Sequence, residues 1–315
     1  MRINLSIVSI IIPCRDEEKC IGECLASIIS QDYPKEKLEV LVIDGVSEDK
    51  TREIVKGYSR KYPFIKLIEN PKKFTNFAFN IGIKQAKGEI IMIMGAHAGY
   101  KKDYISKCVK YLNEYDADNV GGVIKTRPSK NTLFAKAITY CLSHPFGVGG
   151  SYFRLGSKEP RWVDTVFGGC YRKSVFDKIG LFNENLFRSQ DMELNIRLKK
   201  AGGKILLVPD IVSYYYPKTT LKDFLLHNIQ DGVWAILPLK FVKITLKLRH
   251  YIPLILVLTL PLSTWPYILL SLLFSFKIAI REKDIRLFFI MPLVFAARHL
   301  GYGLGSIWGL IKLLF

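Results

Sequence analysis

Three side chains in this 315-residue sequence stand where their chemistry would be useful. In FRSQDMELNIRL, residues 187–198, Leu194 and Leu198 are four apart, as on one face of a helix, and Ser189 is placed to cap it. Asp191 then falls in the first turn, pointing back at a sheet. A carboxylate there stays ionised at neutral pH and can take a hydroxyl proton as a general base; it would equally complement the helix dipole and do no more. His97 stands in Gly95-Ala96-His97-Ala98-Gly99, directly after the apolar run 90–94. Small residues let a ligand approach the backbone, and the imidazole offers one metal-capable or proton-donating group; a tight turn with an incidental histidine has the same composition. Asp44 follows the strand-like run 39–43 (EVLVI) and precedes Gly45. In that place a carboxylate can accept hydrogen bonds from a nucleobase imide or a ribose hydroxyl, or simply shape a turn.

To bring these residues together, strands must end side by side. Residues 5–12 (LSIVSIII) read as a first strand closed by Pro13, followed by a polar loop 14–18 and a helix over about 19–30. Residues 39–43 give a second strand, and the acidic cap 47–49 opens a helix near Thr51. A strand over 65–69 and a helix over 76–86, stopped by Gly88, come next. Residues 90–94 lack alternation, the pattern of a strand buried on both faces. Further on, the pattern predicts a helix over 103–113, strands over 120–125 and 163–171, and a short helix over 174–179; the glycine-rich piece 144–150 reads as a mobile loop. This alternation predicts an α/β fold with a doubly wound, mostly parallel sheet, which binds ligands beyond its strands' carboxyl ends. No GxGxxG follows the first strand, which argues against NAD or FAD.

Composition narrows the partners. The net charge is +18 and 49% of residues are hydrophobic, which suits an anionic membrane surface. The cations are spread over many helices rather than gathered with aromatics, so nucleic acid is not an expected partner. Six scattered cysteines without a CxxC pair fit reduced thiols, and the N-terminus lacks a signal peptide's cleavage site. Residues 224–249 mix apolar and charged groups, Lys243 and Lys247 among them, and read as an interfacial amphipathic segment. Two apolar runs follow, 251–276 with Pro261 and Pro266, and 287–315 interrupted by Arg298-His299. Each exceeds the roughly 20 residues that span a bilayer. The expected division is therefore 1–223 catalytic, 224–249 interfacial and 250–315 transmembrane. The first run has basic flanks on both sides, so either it is re-entrant or the positive-inside rule fails there.

In this order, the stretches VSIIIPCRDEE, EVLVIDGVSEDKTREIV, FNIGIKQAKGEIIMIMGAH, VDTVFGGCYRKSVFDKIGLFNE and QDMELNIRLKKAGGKI resemble the family 2 glycosyltransferases of the nucleotide-sugar-binding GT-A fold. Within them the chain is similar to membrane-anchored, succinoglycan-type exopolysaccharide enzymes. The resemblance covers about residues 6–235. It implies that Pro13, Arg15 and Glu17 line a nucleotide pocket, with Asp44 on the base and Asn80 in support. It makes Asp191 the catalytic base and places His97 in the metal motif, where Gly95 replaces the motif's first aspartate. It assigns Gly168, Gly169, Gln190, Gln230 and Trp234 to the acceptor or diphosphate region, with Val233 in place of an arginine. The implied activity is inverting transfer from a nucleotide-sugar, a UDP-sugar first, to a lipid-linked saccharide on the cytoplasmic membrane face. A weakly held divalent ion, Mn2+ or Mg2+, is the implied cofactor. The alternative, motivated by Gly95, is a non-catalytic membrane scaffold that binds nucleotide or lipid phosphate.

Overall fold

In the computed structural model, which describes residues 6–241 and 246–314, the first apolar run forms β1 (Val8–Cys14). Leu5, Lys243 and Phe315, each included in an expectation above, lie outside the described residues. There follow α1 (Ile21–Ile29), β2 (Leu38–Asp44), α2 (Thr51–Lys61), β3 (Ile65–Glu69), α3 (Thr75–Gln85), β4 (Ile90–Ile93), β5 (Gly99–Tyr100), α4 (Tyr104–Glu114) and β6 (Asn119–Thr126). Three short helices come next, α5 (Leu133–Leu142), α6 (Pro145–Val148) and α7 (Tyr152–Leu155). Then come β7 (Arg161–Trp162), β8 (Cys170–Arg172), α8 (Ser174–Ile179), α9 (Gln190–Lys200) and β9 (Ile205–Tyr215). The chain ends in α10 (Leu221–Ile236), α11 (Leu248–Leu258), α12 (Leu260–Glu282) and α13 (Arg286–Leu314).

Among the described residues the strands form one sheet in the order β3-β2-β1-β4-β8-β6-β9-β5, with β7 on β9. β3, β2, β1 and β4 are parallel, and every residue of β2 and β4 is buried, Glu39 and Asp44 of β2 included. β1 runs on through Pro13, which pairs with Ile43 on one side. On the other side the β4 ladder ends at Ile11 opposite Ile93, so no donor is missed at the proline. Winding goes outward from β1 to β3 and resumes at β4 on the other side of β1. The carboxyl ends of β1 and β4 therefore flank a topological switch point, where open α/β sheets bind ligands.

The far half of the sheet departs from the expectation. β8 is antiparallel to both β4 and β6, and the strand expected over 163–171 shrinks to its last residues. Gly168 and Gly169 adopt φ of 69° and 110°, which breaks extended geometry. β9 was not foreseen, because Pro209-Asp210 interrupts its apolar pattern.

The chain clusters into two compact units, one of residues up to Ile124 with Gly156–Tyr215, the other of Lys125–Leu155 with the chain from Tyr216 onward. Residues 125–155, which the sequence reading kept in the catalytic domain, thus group with the C-terminal helices. In that second unit α10 lies against α13 at backbone contact: a Cβ at Gly305 would come within 2.0 Å of the Ile229 carbonyl oxygen, and one at Gly232 within 2.0 Å of that of Tyr302. The stretch 144–150 is no free loop. Arg298 and His299 of α13 hydrogen-bond the Gly147 and Phe146 carbonyls at 3.2 and 2.8 Å, and the Phe146 ring packs among Phe274, Phe295 and Tyr267. The long run 251–276 breaks at Thr259, between α11 and α12. α12 and α13 have the length and apolarity to cross a membrane.

Candidate active site

The β1–α1 and β2–α2 loops are stitched together residue by residue. The Asp16 amide donates to Ser47 Oγ at 2.9 Å, that of Glu17 to Thr51 Oγ1 at 2.7 Å, and that of Glu18 to Asp49 Oδ2 at 3.0 Å. In return the Glu48 amide donates to Asp16 Oδ1 at 2.9 Å and that of Lys50 to Glu18 Oε2 at 3.2 Å. This fixes Arg15 and Glu17 beyond the end of β1. Asp44, at the end of β2, is fully buried. It accepts from the Ser47 amide at 3.2 Å and the Ser47 hydroxyl at 2.5 Å, and Arg52 Nε lies 3.6 Å away. In this structure its carboxylate orders the 45–50 turn.

Across the switch point, β4 delivers the 95–99 loop. Tyr100 is buried and its hydroxyl accepts the Gly95 amide at 2.7 Å, while the Gly95 carbonyl accepts from Cys24 Sγ. His97 projects from this anchored loop, 64% exposed, with Nδ1 3.1 Å from Glu17 Oε1. Two residues 80 apart in sequence thus meet at the sheet's switch point. Gly168 and Gly169 reach the same strand end: the Ile93 amide donates to the Gly169 carbonyl at 3.0 Å, and a side chain at Gly168 would strike the Ile93 carbonyl.

Asp191 is exposed in the first turn of α9. Ser189 does not cap that helix with its side chain, as the sequence suggested. It takes φ 56°, a left-handed conformation uncommon outside glycine, and its carbonyl accepts the Glu193 amide at 3.0 Å. Gln190 Oε1 is shielded from solvent and has no hydrogen-bond partner among the described residues. A buried network fixes α9 from beneath. Asn195 Oδ1 accepts from Asn119 Nδ2 at 3.0 Å and from the Tyr171 hydroxyl at 3.3 Å, and its Nδ2 donates to Thr165 Oγ1 at 3.1 Å. Burial first, and then the negative charge of Asp191, push the Tyr171 hydroxyl up, so it remains a donor.

The loop before α9 is clamped from both sides. Arg197 pairs with Glu193 at 2.6 Å and donates to the Leu181 carbonyl at 2.7 Å. Asn80, on α3, exchanges hydrogen bonds with the Phe182 backbone at 3.0 Å and donates to Glu184 Oε1 at 2.9 Å. Asn80 is thus occupied with this loop. Asn119, Tyr171, Asn195 and Arg197 were missed in the sequence. Asn195 alone carried a signal, a polar residue on the same apolar helix face as Leu194 and Leu198.

Gln230 and Trp234 lie on α10 in the second unit, Gln230 exposed and Trp234 half-buried. Val233 is buried, and its carbonyl would lie 2.9 Å from a Cβ at Gly309 of α13. An arginine there would have to bury its guanidinium in the helix contact, whereas valine packs without that cost. Arg298 of α13 pairs with Asp231 of α10 at 3.5 Å and with Asn228.

A sequence model described as Glycosyl transferase family 2 matches residues 9–180, more than half of the chain. The chain belongs to glycosyl transferase family 2. It is 36% identical over 237 residues to the dolichyl N-acetyl-alpha-D-glucosaminyl phosphate 3-beta-D-2,3-diacetamido-2,3-dideoxy-beta-D-glucuronosyltransferase of Methanococcus voltae, covering 72% of each chain. It is 28% identical over 247 residues to succinoglycan biosynthesis protein ExoA of Rhizobium meliloti, covering 73% of this chain and 74% of that one. Among solved structures, the mannosyltransferase PcManGT from Pyrobaculum calidifontis, in complex with GDP-Man and Mn2+, superposes with a TM-score of 0.67 at 20% identity, over 98% of this chain and 88% of that one. The fold is GT-A, and the family 2 chain is a glycosyltransferase.

Proposed function

We propose that this enzyme transfers a sugar, with inversion, from a nucleotide-sugar to a lipid-linked saccharide at the cytoplasmic face of the membrane. The observation that carries the reading is the meeting of Glu17 and His97 at 3.1 Å across the switch point of a family 2 sheet. Pro13, Arg15 and the turn ordered by Asp44 would take the nucleotide, a UDP-sugar being the first donor to test. Asp191 would remove the proton from the acceptor hydroxyl as that oxygen attacks the anomeric carbon. The bond from that carbon to the diphosphate breaks on the opposite face, the nucleoside diphosphate departs, and the configuration inverts. Gly168, Gly169 and Gln190 would border the diphosphate, and Gln230 and Trp234 the acceptor's carrier. The lipid-linked acceptor is supported by the name of the Methanococcus voltae relative.

His97 and Glu17 supply one imidazole and one carboxylate, and among the described residues no cluster of three His, Cys, Asp or Glu is present. Two donors fit an ion that completes its shell with diphosphate oxygens, hence weak binding without nucleotide. Imidazole favours Mn2+ over Mg2+. When bound, the ion would draw off charge developing on the leaving diphosphate.

The test is a panel of nucleotide-sugars offered with a prenyl-phosphate-linked N-acetylglucosamine, reading released nucleoside diphosphate and lipid-linked product. Transfer from one donor supports the reading. Nucleotide binding without turnover across the panel would favour the scaffold.

A further inference from the structure

We propose that Phe74 and Phe187 form a platform for the saccharide ring of the acceptor; this rests on the reading of Asp191 as the base. The two rings lie 4.4 Å apart between centroids with planes at 45°, and they are 49% and 44% exposed. Single exposed aromatics need no explanation. These two are a contacting pair, and the backbone that carries each is held in place.

On the nucleotide side, the Asn70 amide donates to the Asp44 carbonyl at 2.7 Å, and Asn70 Nδ2 donates to the Phe74 carbonyl at 2.9 Å. Lys73 takes φ 66°, and its carbonyl closes over Gly45, where a Cβ would lie 2.9 Å from it and 3.3 Å from Arg15 Cβ. On the base side, Asn76 Nδ2 donates to the Glu184 carbonyl at 2.6 Å, and Asn80 fixes Phe182 and Glu184. The ring pair therefore closes a seam between two fixed segments. One begins at Asp44; the other ends, four residues past Phe187, at Asp191.

The geometry selects the occupant by elimination along that seam. The reading above gives the nucleotide to Pro13, Arg15 and the turn ordered by Asp44, and the diphosphate with its ion to Glu17 and His97. The acceptor must instead reach Asp191, so the surface carried by the loop that delivers Asp191 belongs to the acceptor. A pyranose has an apolar face of C–H groups, which packs on aromatic rings, and a rim of hydroxyls. Exposed Lys73 and Glu184, on the same two segments, offer a cation and a carboxylate to that rim. Binding energy gained on this ring would orient the reacting hydroxyl at the base.

The experiment uses the full chain in detergent with prenyl-phosphate-linked N-acetylglucosamine. Phe74→Leu and Phe187→Leu keep apolar bulk but lose the aromatic face, and Phe187→Trp enlarges it. Each leucine variant should raise KM for the acceptor about tenfold. KM for the nucleotide-sugar and its acceptor-free hydrolysis should stay as in the parent, and the tryptophan should retain the parent's acceptor KM. Unchanged acceptor KM in both leucine variants overturns the proposal. So does a matching rise in nucleotide-sugar KM, which would make the pair a nucleobase platform. A chain that transfers no sugar would fail the broader reading, and the platform is then decided separately. Saturation-transfer NMR with N-acetylglucosamine methyl glycoside should show ring C–H contacts in the parent and lose them in the double leucine variant. Equal signals in the two proteins would overturn it.

Discussion

At position 95 this chain carries a hydrogen where the resemblance to the family would place a carboxylate of the metal motif. The structure leaves room for that side chain. A Cβ on Gly95 would meet Ala98 Cβ at 3.9 Å and the Tyr100 hydroxyl at 4.0 Å, both ordinary contacts, and the residue does not lie at positive φ. Gly95→Asp should therefore fold and bind Mn2+ more tightly without nucleotide, read by the loss of free-ion signal in electron paramagnetic resonance. His97→Ala should weaken Mn2+ binding in the presence of nucleoside diphosphate and reduce transfer. Full transfer in excess chelator, with His97→Ala unimpaired, would remove the ion from the reaction and leave basic side chains to steady the diphosphate. Asp191→Asn should lower transfer by roughly 10²–10⁴, the range for loss of a general base, while calorimetry shows unchanged affinity for the nucleoside diphosphate. A variant that transfers at the parent rate would overturn the assignment of the base. The places of Asp191 in the first turn of α9 and of His97 in the loop after β4 were legible because a carboxylate in a first helical turn and an imidazole between small residues both stand out in sequence. The Glu17–His97 contact was not, since it depends on which strands become neighbours.

Elements were legible where an apolar run or a glycine stop bounds them. β2, β3 and α8 fall within a residue or so of their expected places because apolar runs and glycine stops mark them. In the antiparallel half β6 falls where it was expected, but β5 and β7 were not foreseen and β8 only at its end, because strands of two or three residues carry too little pattern, and pairing supplies their stability. One buried polar knot shows how the parallel half is tied. Glu39, inside β2, accepts from Ser9 of β1 at 2.7 Å, Lys66 of β3 at 2.9 Å and the Lys87 amide at 2.9 Å. Burial alone would raise this carboxyl; the hydrogen bonds from the Lys87 amide, Lys66 and Ser9 outweigh it and hold the pKa below the ordinary 4.5. An acid depressed in the folded state contributes stability that is present above its unfolded pKa and is lost as pH falls through the lower folded value. Glu39→Gln should thus cost about 1–3 kcal/mol at neutral pH, where donors lose a charged acceptor. Urea melts should show the gap between parent and variant narrowing below the ordinary carboxylate pKa. A gap that persists undiminished in acid would mean that shape, not charge, is what Glu39 supplies.

At the scale of the whole molecule, charge follows the division into units. Residues 125–155 and 216–315 carry seventeen lysines and arginines against four aspartates and glutamates, thirteen of the chain's net +18. The unit that holds the two spanning-length helices is thus also the strongly basic one, as an anionic membrane face would favour. Alkaline carbonate should leave the protein in the membrane fraction. The break at Thr259 also bears on the conflict between the basic segment before Tyr251 and the basic turn after Phe276. α11 has eleven residues, so it extends about 16 Å, half of a hydrocarbon core of about 30 Å. It cannot carry the chain across by itself, although α12, with 23 residues, can; the positive-inside rule is the ground for expecting a re-entrant first run with both basic segments on the cytoplasmic face. Single cysteines at Lys247 and Lys283 test this against a low background, because five of the six native thiols are buried and Cys20 is half-buried. Both should react with a membrane-impermeant maleimide in inverted vesicles, and neither in intact cells. Labelling of the two from opposite faces would place a full crossing between them, and the positive-inside rule would then fail at one of these segments.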